Sequence, residues 1–259
     1  MKSRLFAHLA RRAFHIVGLC AVVCILSAFT LQPISQSFSP SGADSSRVFQ
    51  VHNPGSQPVA MRLEMLERVV DEDGTESNPA ARGSFTVFPT QFILEPGQRR
   101  NIRVRYTGPE NLEHEHSYRL LAEQLPVDLL ESDADGSQES EDNGRPGQGA
   151  IQVMFRYLAS VFVVPPNASG PEAQASILEQ VSGDHSGLLL RFENSGGRHV
   201  ILTNLELELR LDDGSRRRVE ASALEGIKGV NLLAGSSRTH FLPLDADLVE
   251  RVRDLGLSY

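Results

Sequence analysis

The chain has 259 residues and a formal net charge of −8, from 25 Lys and Arg against 33 Asp and Glu. Four basic residues and no acid precede residue 30, so the rest holds 21 basic and 33 acidic residues, a net charge of −12. A chain this acidic argues against a nucleic-acid partner. Its length favours two small domains over one large domain.

The first 28 residues have the layout of a secretory signal peptide. Four basic residues precede an apolar run over 16–29, which is shorter than the roughly 20 residues of a membrane span. We therefore expect export with cleavage near residue 28 and no stable membrane insertion afterwards, with an uncleaved anchor as the alternative. Cys20 and Cys24 lie inside this run, so the mature chain would hold no cysteine and would depend on its core rather than on disulfides.

The next hundred residues alternate between apolar and polar positions in short segments that are separated by turn residues. The segment 59–70 fits a helix or a strand, but the alternation of Val59, Met61 and Leu63 and the Asp73-Gly74 turn favour a strand. Candidate strands are 47–52, 59–70, 84–88, 91–94, 100–106 and 117–125. So many short strands predict an antiparallel sandwich.

Residues 126–149 interrupt this pattern with seven acids, four glycines and two prolines, which predicts a mobile loop. The following segment, 150–164, is predicted to be a strand of the same domain. Its odd positions from Ile151 to Val163 are all apolar, whereas Gln152 and Arg156 are polar. Such a strand has one continuous apolar face, and an apolar strand of this kind can be lent to another protein whose sheet lacks one.

A second domain is predicted after the proline-rich linker at 165–171. Its candidate strands are 175–181, 188–193, 200–211, 230–233 and 238–244, with one possible helix at 245–255. The fold class predicted for the chain is therefore all-β, as two β-sandwich domains in series. We place the first domain at 29–166 and the second at 167–259.

Motifs for catalysis or cofactor binding are missing from the sequence. It contains no nucleophile elbow, phosphate loop or Cys-x-x-Cys pair, so we expect neither an enzyme nor a cofactor. His114 and His116, in the run 113–116 (EHEH), could share a strand face and bind a metal, but no third ligand is nearby in sequence. A solvated turn is the favoured interpretation, and no metal site is predicted.

Three ordered segments resemble the PapD-like periplasmic chaperones of chaperone-usher pilus assembly, in their alternative or archaic branch. They are FTVFPTQFILEPGQRRNIRVRY (85–106), SYRLLAEQLPV (117–127) and IQVMFRYLASVFVVPP (151–166). The resemblance implies two immunoglobulin-like domains in an L or boomerang arrangement. It also implies an ATP-independent chaperone in the periplasm, which binds pilus or spore-coat-like subunits that lack a strand and delivers them to an outer-membrane usher.

In this family the last strand of the first domain completes the sheet of the subunit. The resemblance places the donated side chains at Ile151, Val153, Phe155 and Tyr157. An apolar stripe would also arise if the strand only packed on its own core, and we expect this for 159–164, where both faces are apolar. For 151–157 the polar neighbours Gln152 and Arg156 favour donation.

Better-known members of the family hold the terminal carboxylate of the subunit with an arginine and a lysine. Those positions correspond here to Gln36 and Ser160, and neither can supply the charge. We expect Arg119 and Arg156, in adjacent strands, to form a cationic pair that takes the carboxylate instead. The alternative is that both arginines form surface ion pairs with Glu115 or Glu123.

Two other functions remain open from the residues alone. The first is an exported two-domain structural or adhesive protein that keeps the fold but does not act as a chaperone. The second is an enzyme or metal carrier that uses His114 and His116.

Overall fold

The computed structural model describes residues 29–126, 153–183 and 185–259. The predicted signal peptide, nearly all of the acidic segment 126–149, and Ile151 lie outside the described residues. Regular structure is almost entirely β, as predicted, and no helix in the described ranges is long and apolar enough to cross a membrane.

Eleven strands build the first sandwich in two facing sheets, ordered β1-β3-β9-β7 and β2-β11-β10-β4-β8, with a small β5-β6 hairpin attached. They are β1 (Thr30–Gln32), β2 (Ser35–Phe38), β3 (Ser46–His52), β4 (Val59–Glu67), β5 (Val69–Val70), β6 (Glu76–Ser77), β7 (Phe85–Phe88), β8 (Gln91–Leu94), β9 (Arg99–Tyr106), β10 (His116–Gln124) and β11 (Arg156–Val163). The segment 59–70 is a strand as predicted, although it is interrupted at Arg68.

Alternation places the core of this domain between the two sheets. In β9, Ile102 and Val104 are fully buried while Arg103 and Arg105 are exposed, which is the pattern of a half-buried strand. Side chains from both sheets meet in one cluster, which includes Phe49, Val51, Met61, Leu94, Leu120 and Val161.

The second sandwich is formed by three small sheets, ordered β12-β13-β18, β16-β15-β19 and β14-β17. Its elements are β12 (Ala173–Val181), β13 (Gly187–Asn194), β14 (Val200–Ile201), β15 (Glu206–Leu211), β16 (Arg216–Arg218), β17 (Asn231–Leu232), β18 (Ser237–Pro243), α1 (Ala246–Arg251) and β19 (Val252–Ser258). The prediction of two β-sandwiches in series is confirmed, and the exact domain boundary stays a prediction.

Two segments of this domain differ from the sequence-based expectation. The predicted strand 200–211 is wrong as one element, because Leu202 hydrogen-bonds to Val230 and Gly229 and the chain turns before β15 begins. The predicted helix 245–255 ends at Arg251, since the residues that follow pair with β15 as β19, with Leu255 opposite Leu209.

The same asparagine turn occurs once in each sandwich. Asn53 and Asn194 are fully buried, and each side-chain amide donates to backbone carbonyls of its own loop and of a facing strand or turn. Each side-chain oxygen accepts the backbone N–H two residues on, from Gly55 and Gly196. The buried polar groups of both turns are therefore satisfied, as such groups usually are.

Candidate functional site

Strand β11 has one fully paired edge and one edge that is only partly paired. Its inner edge pairs with β10 along the whole strand, from Val163 opposite His116 to Arg156 opposite Glu123. On the other side β2 pairs only with Ser160 to Val163. The edge of β11 over 156–159 therefore has no strand partner among the described residues, and its backbone groups are available for another strand.

Side chains divide this part of the chain into two halves, as the sequence predicts. Ala159, Val161 and Val163 are at most 1% exposed and belong to the core of the first sandwich. The preceding residues keep large apolar side chains in solvent, with exposed fractions of 42% for Val153, 53% for Met154, 38% for Tyr157 and 39% for Leu158. The prediction that 159–164 packs on the core of its own domain is confirmed. Donation of the preceding side chains to a subunit stays a prediction.

The strand is shorter than predicted, because it begins at Arg156 rather than near residue 150. Strand β10 ends at Gln124, whose N–H donates to the carbonyl of Phe155 at 3.0 Å, and Pro126 soon afterwards has no N–H to donate. Val153 and Met154 therefore have no partner strand, and they lie outside the sheets of the domain.

Three of the four predicted donor residues can be located. Val153 is exposed, whereas Phe155 packs partly against the core of its own domain. The Tyr157 ring meets the buried Phe29 edge-on, with 4.9 Å between ring centroids. Ile151 lies outside the described residues. Among these three described residues, Val153 makes the least contact with its own domain.

Arg119 and Arg156 do not form the expected cationic pair. Arg119 lies opposite Ser160 and Arg156 lies opposite Glu123, so the two arginines are four positions apart on one sheet face, about 13 Å. Arg119 instead binds Glu76, from Nε to Oε1 and from Nη2 to Oε2, both at 2.7 Å. The expected proximity is wrong because sequence spacing does not give the cross-strand register.

The alternative partners predicted for the arginines, Glu115 and Glu123, also do not bind Arg119. Its Nη1 donates to Ser160 Oγ at 2.6 Å, and its side chain is only 16% exposed. A cation from the neighbouring strand thus lies against Ser160, where the family resemblance predicts a lysine. The other neutral position, Gln36, is used to donate to the carbonyl of Val48.

Arg68 joins this cluster and gives it an unbalanced charge. Its Nε donates to Glu76 Oε2 at 3.0 Å, and its side chain is 9% exposed. Burial and then the nearby charge of Arg119 lower the pKa of Arg68, with Glu76 acting in the opposite direction. Two guanidinium groups thus share one carboxylate, which leaves one net positive charge in a part-buried place.

Glu76 has a carboxyl pKa well below its usual value, so this side chain is ionised at neutral pH. Burial raises the pKa of this carboxyl, but the hydrogen bond from Arg119 and the charges of both arginines outweigh burial and lower the pKa to about 2. Sequence reasoning missed Glu76 because it is 43 residues from Arg119. The only available signal was the Asp73-Gly74 turn, which folds the β5-β6 hairpin back toward β10.

The turn of that hairpin touches the second domain. The Glu72 carbonyl accepts the N–H of Thr239 at 2.8 Å, and the Glu72 carboxylate accepts hydrogen bonds from Arg191 and Ser237 at 2.8 and 2.9 Å. The β5-β6 hairpin therefore contacts the second sandwich through Glu72 in its turn, and it carries Glu76 at the start of β6.

A second contact between the domains involves the run 113–116. Glu115 has a side chain that is only 1% exposed, and its Oε1 lies 2.7 Å from Nδ1 of His199, whose ring stacks on Phe162. The predicted solvated turn is therefore wrong for Glu115. His114 and His116 stack on each other, and the described residues contain no group of three metal-ligating side chains around them.

A β-sandwich with an open strand edge can pair with a strand of another protein. The family model for the pili and flagellar-assembly chaperones, PapD N-terminal domain, matches residues 38–169. This match covers just over half of the chain. The protein therefore belongs to the PapD-like pilus assembly chaperones.

Solved structures share the fold at low sequence identity. A chain of the archaic CsuC-CsuE chaperone-tip subunit complex from Acinetobacter baumannii is 15% identical, with a TM-score of 0.57 and coverage of 85% of this chain and 89% of that one. A chain of the chaperone-tip adhesin complex of CFA/I fimbriae is 14% identical, with a TM-score of 0.54 and coverage of 82% of this chain and 85% of that one. A chain of the complex of Salmonella enterica SafA pilin with the SafB chaperone is 15% identical, with a TM-score of 0.51 and coverage of 84% of this chain and 85% of that one. A search of curated proteins finds no match.

Proposed function

We propose that this protein is a periplasmic, ATP-independent chaperone that binds pilus subunits lacking a strand and delivers them to an outer-membrane usher. The proposal depends above all on the open edge of β11 over 156–159, where unpaired backbone groups lie beside exposed apolar side chains. An edge of this kind is an aggregation hazard unless it has a function. Pairing with a strand-deficient subunit would satisfy both the backbone and the apolar surface.

Val153, Phe155 and Tyr157, with Ile151 before them, are the side chains that we propose enter the groove of the subunit. They alternate along the chain, and Ala159 continues the same face into the core. Phe155 and Tyr157 would exchange contacts with their own domain for contacts with the subunit, whereas Val153 would move into the groove from solvent.

Arg119 is our candidate for the group that holds the terminal carboxylate of the subunit, whereas Arg156 lies too far away to share this task. The cluster of Arg68, Glu76 and Arg119 carries one net positive charge, so one carboxylate would neutralise it. Charge-assisted hydrogen bonds at such a point would fix the register of the bound strand. Since the sequence has no nucleotide motif, release would come from exchange with a better strand at the usher.

Co-expression tests this function against the alternative of an exported structural or adhesive protein. A subunit gene that neighbours the chaperone gene is expressed in the periplasm with and without the chaperone. We expect soluble subunit only with the chaperone, as a stable one-to-one complex that passes its subunit to the usher. Equal yields of soluble subunit in both cases, and no complex, would exclude the chaperone function.

A further inference from the structure

All three nitrogen atoms of the Arg119 guanidinium already have partners. Nε and Nη2 form a fork on the two oxygens of Glu76, and Nη1 donates to Ser160 Oγ. An arginine binds a carboxylate best through two parallel N–H groups. Three of the five N–H groups are thus engaged, and Glu76 fills the Nε–Nη2 edge, so a carboxylate that binds at this edge must displace Glu76.

Glu76 and Ser160 differ in how strongly they oppose the binding of a carboxylate to Arg119. The Ser160 hydroxyl is neutral and can rotate, whereas Glu76 carries a full negative charge beside the site and holds the bidentate edge. A like charge this close repels an arriving carboxylate, and solvent screens the repulsion less than at an open surface because Arg119 and Glu76 are only 16% and 25% exposed. Glu76 is thus the group that limits binding.

Arg68 makes the displacement of Glu76 inexpensive. Its Nε already holds Glu76 Oε2 at 3.0 Å, so Glu76 keeps a cationic partner after it leaves Arg119. A part-buried carboxylate without such a partner would be strongly disfavoured, so it would stay in place on Arg119. The second arginine therefore provides an alternative position for the same carboxylate.

Movement of the Glu76 side chain is sufficient for this exchange. The hairpin that carries Glu76 is held on the second domain through Glu72, with contacts to Thr239, Arg191 and Ser237. The backbone of the hairpin is thereby fixed, while rotation about the side-chain bonds of Glu76 leaves those contacts intact.

From these contacts we propose that Glu76 is an internal stand-in for the carboxylate of the partner. It occupies Arg119 in the free protein and moves onto Arg68 when a strand with a free terminal carboxylate binds. This inference rests on the proposed carboxylate site at Arg119. Glu76 would keep the site at Arg119 filled until the terminal carboxylate of a bound chain replaces it. An internal strand, which has no terminal charge, would gain no affinity from Arg119.

Peptide binding to the full chain tests the stand-in directly. The probes are two short peptides of alternating valine and threonine, identical except that one ends in a carboxylate and the other in an amide. We expect Glu76→Gln to bind the acid peptide about tenfold more tightly than the wild type, because a close like charge is gone. Affinity for the amide peptide should not change. Glu208→Gln, at an exposed ion pair of the second domain, is the matched control and should bind both peptides like the wild type.

The possible results separate the two proposals. Unchanged or weaker acid-peptide binding by Glu76→Gln overturns the stand-in. If the wild type still prefers the acid peptide in that case, the Arg119 site stands and Glu76 only positions its guanidinium. If no variant distinguishes acid from amide, the Arg119 site itself is wrong and the stand-in falls with it.

Unfolding measurements verify that Glu76→Gln has lost the ion pair and not its fold. The native pKa of Glu76 is lowered from 4.5 to about 2, so its ionised form stabilises the folded state above the unfolded value. The variant should therefore be less stable than the wild type at neutral pH, and this difference should disappear as the pH falls from 4.5 toward 2. Glu76→Asp keeps the charge but shortens the reach, and it should raise acid-peptide affinity by less.

Discussion

Replacement of Val153 and Phe155 by aspartate should abolish the capture of a pilus subunit. Each change would place a carboxylate in an apolar groove, where an unpaired charge costs several kilocalories per mole. We expect the yield of complex in a copurification assay to fall about a hundredfold or more. Val153→Asp alone should already lower it about tenfold, since this side chain is exposed in the free protein and its loss does not disturb the fold.

Phe155 needs a separate check because it packs partly against its own core. The thermal midpoint of each variant shows whether lost capture reflects lost folding. Met154→Asp is the matched control, since Met154 is 53% exposed and alternation places it on the opposite face from Val153. Equal capture by the wild type and the double variant, or equal loss in the control, would contradict strand donation.

Loss of the guanidinium at Arg119 should have the second largest effect. Arg119→Ala removes the proposed carboxylate partner, and charge-assisted hydrogen bonds of this kind are worth about tenfold to a hundredfold in affinity. Glu76 remains paired with Arg68 in the variant, so the fold should survive. Arg119→Lys keeps the charge without the bidentate fork and should give an intermediate loss in a titration with a purified subunit.

Arg105→Ala is the control for Arg119. Arg105 is an exposed arginine on β9, in the sheet that does not contain β11, and its removal changes the net charge by the same amount. We expect its affinity for the subunit to stay within about twofold of the wild type. Equal losses for the two variants would show a general charge effect and remove the carboxylate site.

Local alternation was enough to predict most of the first sandwich. Val59, Met61 and Leu63 alternate and form β4, as the sequence predicts. The division of the last strand into a buried half and an exposed half also follows from the residues. These features depend only on neighbours within a few positions.

The site was harder to predict because it depends on register and on distant contacts. Arg119 faces Ser160 rather than Arg156, and a shift of four positions cannot be seen in either strand alone. Glu76 comes from a two-residue strand that carries no periodicity. Similarly, β19 follows a short helix, and it is defined by pairing with β15 rather than by its own pattern.

Amide hydrogen exchange in β11, with and without a subunit, tests strand donation most directly. The N–H of Ser160 points toward β2, so alternation directs those of Arg156 and Leu158 to the open edge and those of Tyr157 and Ala159 to β10. We expect exchange at Arg156 and Leu158 to slow about a hundredfold or more in the complex, with little change at the other two. Unchanged exchange at Leu158 in a stable complex would show that the subunit binds elsewhere.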